Sequence, residues 1–176
     1  MTPAPKIEVR PLRKTDDAAA VSDIYAASWR AAYRGLVPGA YLDTLTGARW
    51  LPKLQNLAQS GQQAVLACCD GQPVGICTFC AARDENRAGW GEVVSLYLLP
   101  AYWGQGAGAR LLQTAVNELH RQGYANVYLW VLQGNTRAER FYGRNGFAPC
   151  GDTLPLQLAG SELTECRWQL AAGEQA

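Results

Sequence analysis

The chain has 176 residues, 48% of them hydrophobic and 18% charged, enough for one globular domain with a sizeable core. Sixteen basic and 15 acidic residues leave a net charge of +1, so nothing electrostatic argues for a nucleic acid or an anionic membrane as partner. No apolar run is long enough to span a bilayer, and residues 1–11 hold no apolar secretory stretch, so the expected location is cytoplasmic.

In chain order, Ile7–Pro11 alternates and reads as a short strand. Thr15-Asp16-Asp17 then offers an N-cap for a helix over about residues 16–35. Pro38-Gly39 breaks it, and a second helical stretch covers roughly residues 41–59, open to interruption at Gly47 or Pro52. Residues 64–69 and 74–82 are apolar runs joined through Asp70-Gly71, a hairpin signal. The six cysteines include Cys77-x-x-Cys80 inside the second run, where positions three apart point to opposite faces of a strand. His120 is the one histidine, so we expect reduced structural cysteines and no metal site. Residues 83–89 are a polar loop and 92–99 a further strand. Leu111, Leu112, Ala115, Val116 and Leu119 repeat at helical spacing within residues 108–122, and Gly123 supplies a stop. A strand at Val127–Leu132, a short helix over 136–145 and two final strands, from 147 and over 163–170, complete a mixed α/β domain covering residues 1–176.

Gly104, Gly106 and Gly108 fall between a strand and a helix start. Free backbone N–H groups and the helix dipole make such a junction an anion site, and glycine lets a phosphate come close to the backbone. A tight turn that only relieves sterics is the plain alternative. Ala109 follows Gly108, so the Gly-Lys-Ser/Thr of a Walker A loop is absent. The dinucleotide pattern fits as Gly104, Gly106 and Ala109, but its confirming acid should come about 20 residues later, and "LWVLQGN" carries no carboxylate. A nicotinamide- or flavin-dependent oxidoreductase is therefore the weaker reading of this turn.

"EVVSLYLLPAYWGQGAGARLL" followed by "NTRAERFYGRNGF" resembles the GNAT superfamily of acyl-CoA-dependent N-acyltransferases. The shared signature is Q/R-x-x-G-x-G/A after a strand, then an Asn and F-Y-x-x-x-G-F. Here it covers Trp103 to Gly108, Asn135, Phe141-Tyr142 and Gly146-Phe147, with Trp103 standing where the family has Gln or Arg. The resemblance implies a single domain with a mixed, mostly antiparallel sheet of six to seven strands flanked by helices. It also implies a wedge between the strand before the glycine turn and the next strand.

By that likeness the chain is an N-acetyltransferase that passes an acetyl group from acetyl-CoA directly to a primary amine of a small molecule or peptide. The pyrophosphate would sit on the amides of Gly104, Gln105, Gly106, Ala107, Gly108 and Ala109. The pantetheine arm would pair with backbone of Leu96, Tyr97 and Leu98, as an added strand does. Asn135 would hydrogen-bond the cosubstrate, although it is equally placed to cap the following helix. Tyr142 would be the acid that protonates the departing thiolate, against a plain reading as a core aromatic. Glu92 matches the catalytic glutamate of the histone acetyltransferase branch, against a plain reading as a solvated strand start. The branch that acetylates ribosomal-protein N-termini has its glutamate where this chain has Trp130. Tyr25, Trp29 and Tyr33 form one helix stripe, either core or, at Trp29 and Tyr33, an aromatic wall for the amine. Asp84 and Glu85 could attract a cation. A homodimer is common among such proteins, and an acyl-CoA-binding sensor without catalysis is the second functional reading.

Overall fold

The structure, a computed structural model, describes residues 6–173. Its elements are β1 (Ile7–Pro11), α1 (Ala18–Ala32), α2 (Gly39–Thr44), α3 (Leu51–Gln55), β2 (Gln63–Cys69), β3 (Gln72–Ala81), β4 (Gly91–Leu98), α4 (Ala107–Arg121), β5 (Val127–Leu132), α5 (Thr136–Arg144), β6 (Ala148–Leu158) and β7 (Ser161–Leu170).

Asp17 caps α1, its carboxylate accepting from the amides of Ala19 and Ala20 at 2.9 and 3.2 Å. The neighbouring Asp16 is spent elsewhere, in a two-pronged pair with Arg10 of β1 at 2.6 and 2.9 Å. α1 ends at Ala32, three residues before the expected stop, and Gly35 turns the chain with φ +87°. The helical stretch expected over 41–59 is broken into α2, α3 and two single 3-10 turns, Gly47–Arg49 and Ala58–Ser60. Both anticipated interruptions have a physical cause. Gly47 lies so tightly under Asp23 of α1 that a Cβ there would collide with its carboxylate. Pro52 suits only a helix's first turn, and α3 starts there.

One seven-stranded sheet runs in the order β1-β2-β3-β4-β5-β7-β6. Asp70 and Gly71 make the β2–β3 turn with φ of +49° and +82°, the paired left-handed conformation that matches strand twist. Every neighbouring pair is antiparallel except β4 and β5. Those two are parallel and joined only at Gly91↔Val127 and Glu92↔Tyr128, after which they splay apart. This is the wedge implied by the family resemblance.

A bulge in β4 sets what faces the wedge. Val93 pairs with Phe79 and Ser95 with Thr78, so Val94 is the extra residue. Glu92 then shares a face with Ser95 and Tyr97, while Leu96 and Leu98 turn to the opposite side. Two cores flank the sheet. Under α4, Leu111, Leu112, Ala115 and Leu119 pack on Cys77, Phe79, Val93 and Leu129. Under α1, Tyr25, Leu42, Leu66, Ile76 and Leu132 form the second. Gly75 is one place where glycine is required by packing, since a Cβ there would lie 2.6 Å from Leu98 Cδ1 and 3.1 Å from the Tyr97 carbonyl. All six cysteines are free thiols, and burial pushes that of Cys77 up. Among the described residues no helix is long and apolar enough to cross a membrane, and no cluster of three potential metal ligands occurs.

Candidate functional site

The glycine turn is built from two distinct needs. Gly104 and Gly106 adopt φ of +72° and +82°, which side chains with a Cβ rarely take. Gly108 has no such constraint; it gives room to Phe141 of α5, whose ring edge would lie 3.3 Å from an added Cβ. Gly106 is the N-cap of α4 and offers no side chain to the first turn. The first helical bond runs from Arg110 N to the Gly106 carbonyl at 3.1 Å. The amides of Ala107, Gly108 and Ala109 therefore have no partner among the described residues. Gln105 turns back, its side-chain amide donating to the Ala101 carbonyl at 2.7 Å.

Trp103 substitutes a ring for the Gln or Arg of the signature, and its environment accounts for it. The indole N–H donates to the Leu98 carbonyl at 2.7 Å. Its face carries the guanidinium of Arg137 at 3.2 Å from the ring centroid. A cation thus stands beside the turn, delivered from α5. The Leu98 carbonyl also accepts from the Ser28 hydroxyl at 3.1 Å, so it is doubly engaged and not free for an added strand.

Beyond the two paired positions, the splay of β4 and β5 opens a cavity of about 140 Å³. Tyr142, Leu96 and Leu129 approach it from the α4 side, where they belong to or pack on that core. Tyr33 and Tyr97 approach from the α1 side. The wedge therefore connects the two faces of the sheet. Tyr142 sits in α5 between Phe141 and Phe147, at 5.1 and 5.9 Å between ring centroids. Its hydroxyl has no hydrogen-bond partner among the described residues, and burial pushes its pKa up, so it is held as the protonated donor.

Asn135 serves as the N-cap of α5, its Oδ1 accepting from the Ala138 amide at 3.2 Å. It is 8% exposed, and its Nδ2 donors have no partner among the described residues. The cap reading is realised, and the amide half of the side chain remains available. Tyr33 lines the cavity, whereas Trp29 stands behind it, ring to ring with Tyr33 at 4.7 Å and with Trp50 at 5.8 Å. Tyr25, 1% exposed, is core.

Glu92 lines the cavity but is fully engaged. Arg83 donates to it from its backbone N–H, Nε and Nη2 at 3.1, 3.0 and 2.6 Å, and the Tyr128 hydroxyl adds a fourth bond at 2.8 Å. These donors hold its pKa below the usual carboxylate range despite burial. Glu92 is not the solvated strand start of the plain reading. Asp84 is also engaged: it caps a 3-10 turn through the Asn86 amide at 2.9 Å and pairs with the buried Arg167 of β7. Arg167 in turn lies over Trp130 at 4.5 Å and binds Asp152 at 2.7 Å.

The sequence profile described as "Acetyltransferase (GNAT) family" matches residues 20–147, nearly the whole stretch from α1 to the end of α5. The chain belongs to the GNAT acetyltransferase family. YuaI, an uncharacterized N-acetyltransferase of Bacillus subtilis (strain 168), is 28% identical over 124 residues, 69% of this chain and 70% of that one. An uncharacterized N-acetyltransferase of Archaeoglobus fulgidus is 33% identical over 119 residues, 62% of this chain and 75% of that one. Among solved structures, the PaiA N-acetyltransferase of Thermoplasma acidophilum in complex with coenzyme A matches with a TM-score of 0.70 at 21% identity, over 92% of this chain and 98% of that one. YncA of Salmonella typhimurium, a putative acetyltransferase with its cofactor acetyl-CoA, matches at 0.72 and 22%, over 97% and 96%. At these identities the structural likeness shows the fold.

Three residues of this GNAT protein's candidate site escaped the sequence. Arg137 carries no sequence signal of its own, and only the tertiary contact with Trp103 marks it. Arg83 sits in a polar loop that gave no sign of reaching back to Glu92. Glu165 of β7 lines the cavity with Tyr142. Its signal was legible in principle: a carboxylate on a strand two positions from Leu163, and so on the face that Leu163 turns to the α1 core.

Proposed function

We propose that this GNAT-family protein is an N-acetyltransferase that moves an acetyl group from acetyl-CoA to a primary amine within one ternary complex. The observation that carries this reading is the cavity at the β4–β5 splay, where a donor phenol of α5 meets two carboxylates, while the uncapped N-terminus of α4 packs on the same helix at Phe141. The unpaired amides of Ala107, Gly108 and Ala109, with Arg137 beside them, suit a pyrophosphate. The Leu96 and Tyr97 backbone lies on the open side of the splay and suits a pantetheine amide chain, while the Leu98 carbonyl is already satisfied. The free Nδ2 of Asn135 is a further donor on that path. That PaiA and YncA were solved with coenzyme A and acetyl-CoA supports the same cosubstrate here.

Acetyl-CoA would supply an activated thioester. The nitrogen lone pair of the amine forms the new C–N bond, the C–S bond breaks, the leaving sulfur takes the phenolic proton of Tyr142, and the nitrogen, positively charged after attack, returns a proton to the phenolate. The ammonium proton must leave before attack, because an alkyl amine with pKa of about 10.4 is nearly all protonated at pH 7. No cysteine nucleophile is needed: Cys77 and Cys80 are buried, and burial raises both thiols, which disfavours the thiolate.

Thermal melts with acetyl-CoA, free CoA, NAD and FAD test the cosubstrate. At 100 times Kd a bound ligand stabilises by about 2.7 kcal/mol. For a domain of this size that raises Tm by roughly 5–11 °C. A rise with acetyl-CoA and CoA alone is the expected outcome. A rise with NAD or FAD alone would instead favour an oxidoreductase, and tight acetyl-CoA binding without turnover on any amine would favour a sensor.

A further inference from the structure

The cavity at the splay is lined by three formally charged side chains: Arg83, Glu92 and Glu165. Arg83 and Glu92 cancel. They form an ion pair at 2.6 Å, and three of the four hydrogen bonds to Glu92 come from Arg83. Glu165 is left over. It has no hydrogen bond and no ion pair among the described residues.

Its position follows from register. Glu165 of β7 stands opposite Leu132 of β5, and Arg167 stands opposite Trp130. Alternation puts Glu165 on the same face as Trp130, and the Glu92↔Tyr128 pairing puts Glu92 on that face too. This is the α1 side of the wedge, across the opening from Tyr142. Leu163, two residues earlier on that face, is packed in the α1 core, whereas Glu165 lines the cavity. An unpaired, half-buried carboxylate costs stability. Burial raises its pKa, Glu92 pushes it the same way, and the opposing pull of Arg83 is weaker than burial. The other groups facing it are Tyr33, Tyr97 and Tyr142, whose phenols are all shifted upward by burial and so stay neutral.

We propose that Glu165 is the carboxylate that receives the acceptor, so that the substrate is a cationic primary amine held in the cavity between Glu165 and the ring of Tyr33. The proton then moves from the ammonium nitrogen to a Glu165 oxygen, the neutral amine attacks, and Tyr142 protonates the leaving sulfur. The second proton, shed by the acylated nitrogen, returns to the Tyr142 phenolate, so that the one proton on Glu165 is the net release. A single uncompensated negative charge beside aromatic rings is chemistry suited to an ammonium group. It does not suit a carboxylate-bearing or phosphorylated head at the same point. Glu92, saturated by Arg83 and Tyr128, positions this wall and takes no proton. This inference rests on the acetyltransferase reading above.

The test compares wild type, Glu165→Gln and Glu165→Asp, with benzylamine, tyramine, cadaverine and agmatine as acceptors and CoA release as the readout. Acetyl-CoA binding is followed in parallel by Tm shift. We expect Glu165→Gln to lose about 100-fold or more in kcat/KM. The acid limb of the kcat/KM–pH profile, lying above the ordinary carboxylate range in the wild type, should vanish in it. Glu165→Asp should recover part of the rate, and all three proteins should show the same acetyl-CoA-induced Tm shift. A Glu165→Gln rate within about threefold of wild type, with the acid limb unmoved, overturns the proposal. So does a wild type that binds acetyl-CoA but acetylates none of the four amines. Failure of the wild type to bind acetyl-CoA removes the underlying transferase reading instead.

Discussion

Tyr142 and Glu165 face one cavity, we assign them opposite tasks there, and burial pushes both pKa values upward. For the phenol this preserves a proton to give. For the carboxylate it raises affinity for a proton to take. Tyr142→Phe keeps the ring packing with Phe141 and Phe147 and removes only the hydroxyl, so kcat should fall roughly 10²- to 10⁴-fold with Tm little changed. A near wild-type kcat would take Tyr142 out of the chemistry. Glu165 also makes a prediction about stability. A carboxylate whose folded pKa is raised binds more protons in the native state than in the unfolded one, so its contribution to stability falls as pH rises. That loss begins near the unfolded carboxylate pKa and is complete above the raised folded value. Glu165→Gln removes it, and so its Tm should equal or exceed that of wild type at pH 7–8 and gain nothing at pH 4. A variant both more stable and far slower is what a functional carboxylate predicts.

The two helices that bracket the wedge begin in different ways. α5 starts with a side-chain cap from Asn135, whereas α4 starts with Gly106, which leaves its first amides open. A helix that serves only the core gains from a cap, worth about 1 kcal/mol; α4 forgoes it at the turn we assign to a pyrophosphate. Asn135 caps α5 and, on our reading, also donates to the cosubstrate, and substitution separates the two. Asn135→Asp keeps the capping oxygen but loses the amide donors, so it should hold the wild-type Tm while binding acetyl-CoA more weakly. Asn135→Ala should lose both, with stability falling by about 0.5–2 kcal/mol. Melts with and without acetyl-CoA read the two effects in one experiment. Equal cosubstrate affinity in all three proteins would leave Asn135 as a cap alone. The glycine turn shows how much an element can declare in advance. The left-handed φ of Gly104 and Gly106 was foreshadowed by their identity, but the reason for Gly108 lies in α5, 33 residues downstream at Phe141.

Over the whole molecule, the sheet holds two cores apart and the site opens where its strands cannot stay paired. Leu111 is fully buried at the centre of the α4 core, away from the cavity walls. Leu111→Ala should therefore cost about 2–5 kcal/mol in denaturant melts and leave KM for acetyl-CoA near wild type. The order of strands and helices was legible because it rests on local rules: alternation at Ile7–Pro11, helical spacing in α4, the Asp70-Gly71 turn and a cap before α1. The glycine turn and the spacing from Asn135 to Tyr142 carried the family likeness for the same reason. Each is a contiguous stretch whose chemistry does not depend on distant partners. The stretch over residues 41–59 was less legible, because its break at Gly47 comes from Asp23 on another helix. The role of Glu92 turned on Arg83 and Tyr128, and that of Trp103 on Arg137. Glu165 drew no notice until β7 was laid beside β5. The sequence by itself determined the elements, the turn that can face phosphates and the tyrosine poised beside the wedge. Only the tertiary structure decided which carboxylate is saturated and which is left with an unspent charge, because neutralisation depends on partners that the chain brings together across the sheet.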